Sequence, residues 1–218
     1  MITSTSNGQI KKIQQLLKKS RTRKEEGLFV AEGIKMFREA PPERIEKIYL
    51  GASFAEKGTW REILREKGLD EKAESLTEVV EDKVFKSLSD TVTPQGVLCL
   101  IRIKESTLEE MIPEEKPALL MILEDLQDPG NLGTILRTGE GAGITGVILS
   151  KNSVDIYNPK VIRSTMGSVY RVPFCYTSSI QEEILPWLRE KKITGYAAHL
   201  EGKNSYDQED YTKATAFF

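Results

Sequence analysis

The sequence predicts an α/β protein of two units, and three observations carry that prediction. Short β-rich runs alternate with helical stretches along the first hundred or so residues. A continuous apolar run, Ala118–Leu123, then opens a second series of strand-like and helix-like segments, the pattern of a mostly parallel sheet covered on both faces. Between the two series the composition shifts. Glu105, Glu109, Glu110, Glu114 and Glu115 crowd a stretch with two prolines, as a boundary does. The expected divisions are residues 1–104, an acidic linker over 105–117, and 118–218.

Taken in order, the first expected element is an amphipathic helix with Ile10, Ile13, Leu16 and Leu17 on its apolar face. Lys11, Lys12, Lys18, Lys19, Arg21, Arg23 and Lys24 lie in and after it, and no Asp or Glu occurs before Glu25. The whole chain carries a net charge of −2, so the charge is strongly segregated. A solvated helix face and a phosphate-contacting arm are both consistent with this run. Leu28–Ala31 and Glu43–Gly51 read as strands, with a helix over Glu32–Glu39 between them. Trp60–Lys67 reads as a helix, and Val79, Val80, Val84, Phe85 and Leu88 as one face of another. Gly96–Ile103 is an expected buried strand.

In the second half, Asp125–Gly130 is an expected turn leading into a helix from about Leu132 to Ala142. Val147–Leu149, Tyr170–Phe174, Ile193–Ala198 and Thr215–Phe218 are expected strands; Pro159–Met166 and Ile180–Lys191 are expected helices. Hydrophobic residues make up 39% of the 218, but no apolar run reaches the ~18–20 residues of a membrane span. The N-terminal residues lack the apolar core of a secretory signal. Cys99 and Cys175, both flanked by apolar residues, read as reduced core thiols of a cytoplasmic protein. Neither a metal site nor a membrane partner is expected.

Gly141-Ala-Gly143-Ile-Thr-Gly146 matches the dinucleotide pattern G-x-G-x-x-G. That pattern binds pyrophosphate only where a strand precedes it and a helix follows. Here a helix precedes and a strand follows, so the glycines read as a helix end and a tight turn. The stretch Leu123–Arg137 is more informative. A buried strand ends, a Pro-Gly turn follows, and Asn131 stands where a helix N-cap belongs. Gly133 leaves the first turn open to close approach, and Asn131, Thr134 and Arg137 can share the open side. A plain cap with a surface arginine and a phosphate or ribose site both fit. A second segment places Lys160, Arg163 and Ser164 on a short helix before Gly167. His199, the sole histidine, follows Ala198 at a strand end, where a structural role and a ligand-bordering role are both open.

Asn131-x-Gly133-x-x-x-Arg137-x-x-x-x-x-Gly143, with Lys160-Val-Ile-Arg-Ser164-x-x-Gly167 and Pro173, resembles the SpoU (TrmH-like) group of SPOUT RNA ribose methyltransferases. The basic leader, Phe29-Val-Ala-Glu32-Gly33 and Thr93-Pro-Gln-Gly96 are similar to the ribosomal-protein-like substrate-binding domain that precedes the catalytic domain in many members. The resemblance implies S-adenosylmethionine-dependent 2′-O-methylation of ribose in rRNA, or in tRNA, by a homodimer with a trefoil knot. It assigns catalysis to Asn131 and Arg137. It assigns RNA contact to the basic leader, Gly133, Arg163 and Ser164, and the cofactor border to Ala198 and His199. The Gly-x-Glu-x-x-Gly and Ser-Leu-Asn motifs of that group are not found before Phe218. A truncated member lacking most of the cofactor pocket is therefore expected, with a non-catalytic RNA-binding protein as the alternative.

Overall fold

The structure, a computed structural model, describes residues 1–89, 91 and 93–218. In chain order the first part runs α1 (Gly8–Lys18), α2 (Ser20–Glu26), β1 (Leu28–Glu32), α3 (Ile34–Glu39), β2 (Ile45–Gly51), α4 (Ala52–Glu56), α5 (Thr59–Glu66), α6 (Ala73–Leu76), β3 (Thr77–Val80), α7 (Asp82–Lys86) and β4 (Val97–Arg102). The second part runs β5 (Leu119–Leu123), α8 (Pro129–Ala142), β6 (Gly146–Ser150), α9 (Pro159–Thr165), β7 (Phe174–Thr177), α10 (Leu185–Glu190), β8 (Thr194–Tyr196) and β9 (Thr215–Phe217). The chain divides into two units. One holds Met1–Ile103 together with Tyr157–Tyr170; the other holds Lys104–Ile156 and Arg171–Phe218.

The first unit is built on a four-stranded mixed sheet in the order β1-β4-β2-β3. β4 pairs antiparallel with β1 and β2, whereas β2 and β3 are parallel. The amphipathic spacing in α1 does what its period demands: Ile10, Ile13 and Leu16 are fully buried, each contributing about 1.5–3 kcal/mol of burial. They join Leu28, Val30, Tyr49, Leu98 and Leu100 in one core cluster. Tyr49 donates to Gln9 Oε1 at 2.8 Å, and burial, with Glu78 nearby, pushes its hydroxyl up to about 12. Ile2 adds a short pairing beside β3, donating to the Val79 carbonyl at 2.8 Å and accepting from Glu81 N–H at 2.9 Å. Val79 and Val80 thus belong to a strand rather than to the helix expected there, because the pairing partners come from distant sequence. α9 completes this unit: Tyr157 lies against Phe29 with ring centroids 4.4 Å apart, and Tyr170 donates to the Met36 carbonyl at 3.2 Å.

The second unit is a five-stranded sheet in the order β7-β6-β5-β9-β8, parallel at every pairing. Leu120, Ile122, Ile148, Trp187, Leu188 and Ala216 form its core cluster. The acidic stretch contributes to that core. Met111 is fully buried, and Leu108 and Ile112 pack beside it. Gly146 is required at the start of β6, since a Cβ there would overlap the Met111 side chain. The strand expected at Tyr170–Phe174 begins only at Phe174. Ser168–Tyr170 forms a 3-10 turn instead, and Pro173 has no N–H to offer a ladder. The expected helix over Ile180–Lys191 starts as a π turn at Ile180–Ile184 and becomes α-helical as α10. Both cysteines are free. Burial raises the Cys99 thiol far above its ordinary value, while burial and the neighbouring Glu105 and Glu183 push Cys175 up to about 11.

Candidate active site

The strand order of the second sheet points to one place. From β5 the chain proceeds outward through β6 to β7, then returns to the other side to lay down β8 and β9. The order reverses between β5 and β9, and because every pairing is parallel the carboxyl ends share one rim. Ligands of open α/β sheets bind at such a reversal. The loop leaving β5 there is braced by side chains at the end of β6. Asp125, at φ 49°, donates its N–H to Ser150 Oγ at 2.8 Å, and Ser150 Oγ donates back to Asp125 Oδ1 at 2.7 Å. Leu126 N–H reaches Ser153 Oγ at 3.2 Å, and Gln127 Nε2 donates to the Asn152 carbonyl at 2.8 Å. The braced loop ends at Asp128, whose carboxylate accepts from Asn131 N–H at 2.6 Å, with Pro129 as the first helical residue. Asp128, not Asn131, is therefore the N-cap of α8. An Asp-Pro pair is a strong start signal, and it displaces Asn131 into the first turn.

Asn131, Thr134 and Arg137 are all exposed on α8. Their spacing spreads them over about 120° of the helix and about 9 Å along its axis. A neutral amide and a cation that far apart can bracket a sugar–phosphate unit. Gly133 is not part of this face; it is buried with Leu132 and Leu136, so the open approach expected at that residue is not present.

A second feature of the same unit lies beyond the ends of β8 and β9. A cavity of about 490 Å³ is lined by Ala198 and His199, together with Tyr196, Asn204, Glu209 and Tyr211 among others. Tyr196 and Tyr211 meet edge to face with centroids 4.9 Å apart. Asn204 Nδ2 donates to Glu209 Oε1 at 2.8 Å, and His199 Nδ1 accepts from Glu201 N–H at 3.2 Å. Ala198 and His199 were expected at a ligand border. Asn204, Glu209 and Tyr211 were not, and their only sequence signal is an aromatic-bearing polar stretch between two short strands.

The basic leader is part of the first unit. Lys11, Lys18, Lys19 and Lys24 are exposed and make no ion pair among the described residues. Lys12 is paired with Glu26 and Arg21 with Glu25, each at 2.6 Å. Arg23 departs from the expected exposed arm: it is 3% exposed and donates to the Leu16 carbonyl at 2.6 Å. There it ties α2 to α1, because the break at Lys19 turns that side of α2 inward. Arg163 and Ser164 sit on α9, also in the first unit; Ser164 Oγ donates to the Val161 carbonyl at 2.8 Å.

Comparison with known families decides the kinship. Residues 118–218 match the SpoU rRNA Methylase family, and residues 7–99 match the MRM3-like substrate binding domain. Residues 118–218 therefore carry a SpoU methylase domain. Among curated relatives, the human mitochondrial rRNA methyltransferase 3 is 38% identical over 130 residues, which cover 57% of this chain and 30% of that protein. The chain thus matches under a third of that relative's length. The crystal structure of an AdoMet-bound rRNA methyltransferase from Sinorhizobium meliloti is 28% identical with a TM-score of 0.81, covering 99% of this chain and 78% of the other. A solved RNA 2′-O ribose methyltransferase is 27% identical with a TM-score of 0.71, covering 99% and 80%. These solved methyltransferases share the fold of this chain over nearly its whole length.

Proposed function

We propose that this SpoU chain acts in S-adenosylmethionine-dependent 2′-O-methylation of ribose in rRNA. The observation that carries the reading is the exposed Asn131 and Arg137 pair on α8, set by a braced loop at the reversal point of the sheet. Arg137 binds the phosphate beside the target ribose and stabilises negative charge as it grows on the 2′-oxygen, whose proton passes to solvent. A guanidinium stays protonated at ordinary pH, so Arg137 acts by charge rather than as a base. Asn131 orients the sugar through its side-chain amide.

The cavity beyond β8 and β9 fits the cofactor in volume and in chemistry. The Tyr196 and Tyr211 rings suit an adenine face or a sulfonium cation, and Asn204 and Glu209 suit ribose hydroxyls. Ala198 and His199 border the same space. When bound, S-adenosylmethionine supplies a methyl group on a cationic sulfur. RNA would be held by the four exposed lysines Lys11, Lys18, Lys19 and Lys24, at phosphates rather than bases. Two unpaired thiols accord with a reducing cytoplasm, and a homodimer completes the reading. The test is transfer of labelled methyl from S-adenosylmethionine to rRNA. Transfer that yields an alkali-resistant linkage and falls at least a hundredfold in Arg137→Ala supports the reading. RNA binding without transfer replaces it with a non-catalytic role.

A further inference from the structure

The first unit contains a cavity that neither the basic leader nor the α8 site accounts for. It measures about 280 Å³ and opens where β1 meets α3, beside the approach to β4 and the end of α9. Two of its polar groups are fixed by the protein itself. Glu32 Oε1 accepts from Ser89 Oγ at 2.5 Å and from Thr91 Oγ1 at 3.2 Å. That orients the carboxylate and leaves Oε2 without a partner among the described residues. Gln95 Oε1 accepts from Ile34 N–H at 2.7 Å, which leaves the two Nε2 hydrogens as donors. Gly33 lies at φ 102°, a conformation that side-chain-bearing residues rarely adopt, and a Cβ there would lie 2.9 Å from Gln95 Oε1. Arg163 of α9 also borders the cavity and is unpaired among the described residues. The remaining walls include the thioethers of Met36, which is buried, and Met166, which is 42% exposed at φ 53°.

The one carboxylate, Glu32, stands with the cations Lys35 and Arg163 around the cavity, and the fixed acceptor and donor disfavour an apolar guest. A flat base with a hydrogen-bonding edge satisfies the set, since thioethers pack well on aromatic faces and single-stranded RNA presents unstacked bases with free edges. Adenine and cytosine each offer one amino group to a carboxylate, and uracil offers a ring N–H beside O4 but no amino group. Guanine offers a ring N–H and an amino group side by side, next to the O6 acceptor. We infer that this cavity receives one unstacked guanine of the RNA. Glu32 Oε2 accepts from its N1–H and amino group, Gln95 Nε2 donates to O6, and Arg163 holds an adjoining phosphate at the rim. The inference rests on the proposed action on RNA and names what the first unit reads there.

The test uses the full chain with methyl-labelled methionine, titrated with the four nucleoside 5′-monophosphates and observed by NMR. GMP is expected to shift the Met36 and Met166 methyl signals and to bind about tenfold tighter than AMP, CMP or UMP. Gln95→Glu keeps the acceptor for Ile34 N–H and removes the donors, so the preference for GMP should vanish with the melting temperature unchanged. Glu32→Gln keeps an acceptor for Ser89 and Thr91 and should abolish it too. Equal shifts with all four nucleotides, or a preference that survives both variants, overturn the inference. A parallel titration with an rRNA fragment separates the two readings. RNA binding without guanine preference sinks this inference alone, whereas GMP binding in a chain that does not retain RNA sinks both.

Discussion

Replacing Lys11, Lys18, Lys19 and Lys24 together by alanine isolates the electrostatic part of RNA binding. Of the seven cations between Lys11 and Lys24, these four are exposed and make no ion pair among the described residues. Lys12 and Arg21 are already paired with Glu26 and Glu25, and Arg23 is buried. If each free lysine neutralises one phosphate of single-stranded RNA, each contributes about 0.7 to the slope of log affinity against log salt, or nearly 3 for the four. Extrapolated from 1 M, that slope corresponds to a several-hundredfold loss of affinity at about 0.1 M salt. Fluorescence polarisation of a labelled rRNA fragment across a potassium chloride series measures both quantities, with circular dichroism confirming the fold. Arg23→Met serves as the contrast, lowering the melting temperature while leaving the slope in place. A slope change below about 1 in the four-lysine variant, or a loss of affinity independent of salt, refutes the assignment of these lysines to phosphates.

Three further outcomes follow from other contacts. Asp128→Ala removes the N-cap of α8 and should cost about 1 kcal/mol in a denaturant titration; Asp128→Asn, which keeps an acceptor, should recover most of it. Gly146→Ala drives a Cβ into Met111 and should destabilise by about 1–3 kcal/mol, with Met111→Ala in the same chain costing less than the two changes separately. Cys175, pushed up to about 11, should react with iodoacetamide at pH 8 roughly two orders of magnitude more slowly than an ordinary thiol. Its rate should climb about tenfold per pH unit toward that value, whereas the fully buried Cys99 should react only on unfolding.

The elements legible in the sequence are those whose signal is local. β5 reads as an unbroken apolar run, α1 as a 3.6-residue period, and α9 as a Pro-opened helix with Gly167 just beyond its end. β3 was not legible, because Val79 and Val80 fall in helical spacing with Val84 and Phe85, while the partners that hold them extended are Ile2 and β2. At the site, Asn131 and Arg137 lie exposed on one helix, but the cap falls at Asp128, because Asp128-Pro129 outcompetes Asn131. Arg23 shows the limit of charge counting: a basic residue in a basic run turns inward when a helix break rotates it. Asn204, Glu209 and Tyr211 become a cavity wall only through the pairing of β8 with β9, which no short-range pattern encodes.

The excursion of Tyr157–Tyr170 into the first unit bears on synthesis. Phe29 and the Met36 carbonyl wait for Tyr157 and Tyr170, the second of which leaves the ribosome about 70 residues after β4 is complete. At translation rates of about 5–20 residues per second, the first unit stays unfinished for roughly 3–14 s. During that interval the surface that α9 will cover is open. Nascent-chain arrest at Ile103 and again beyond Tyr170 should therefore yield first units of different protease resistance, the earlier one being cut at β1.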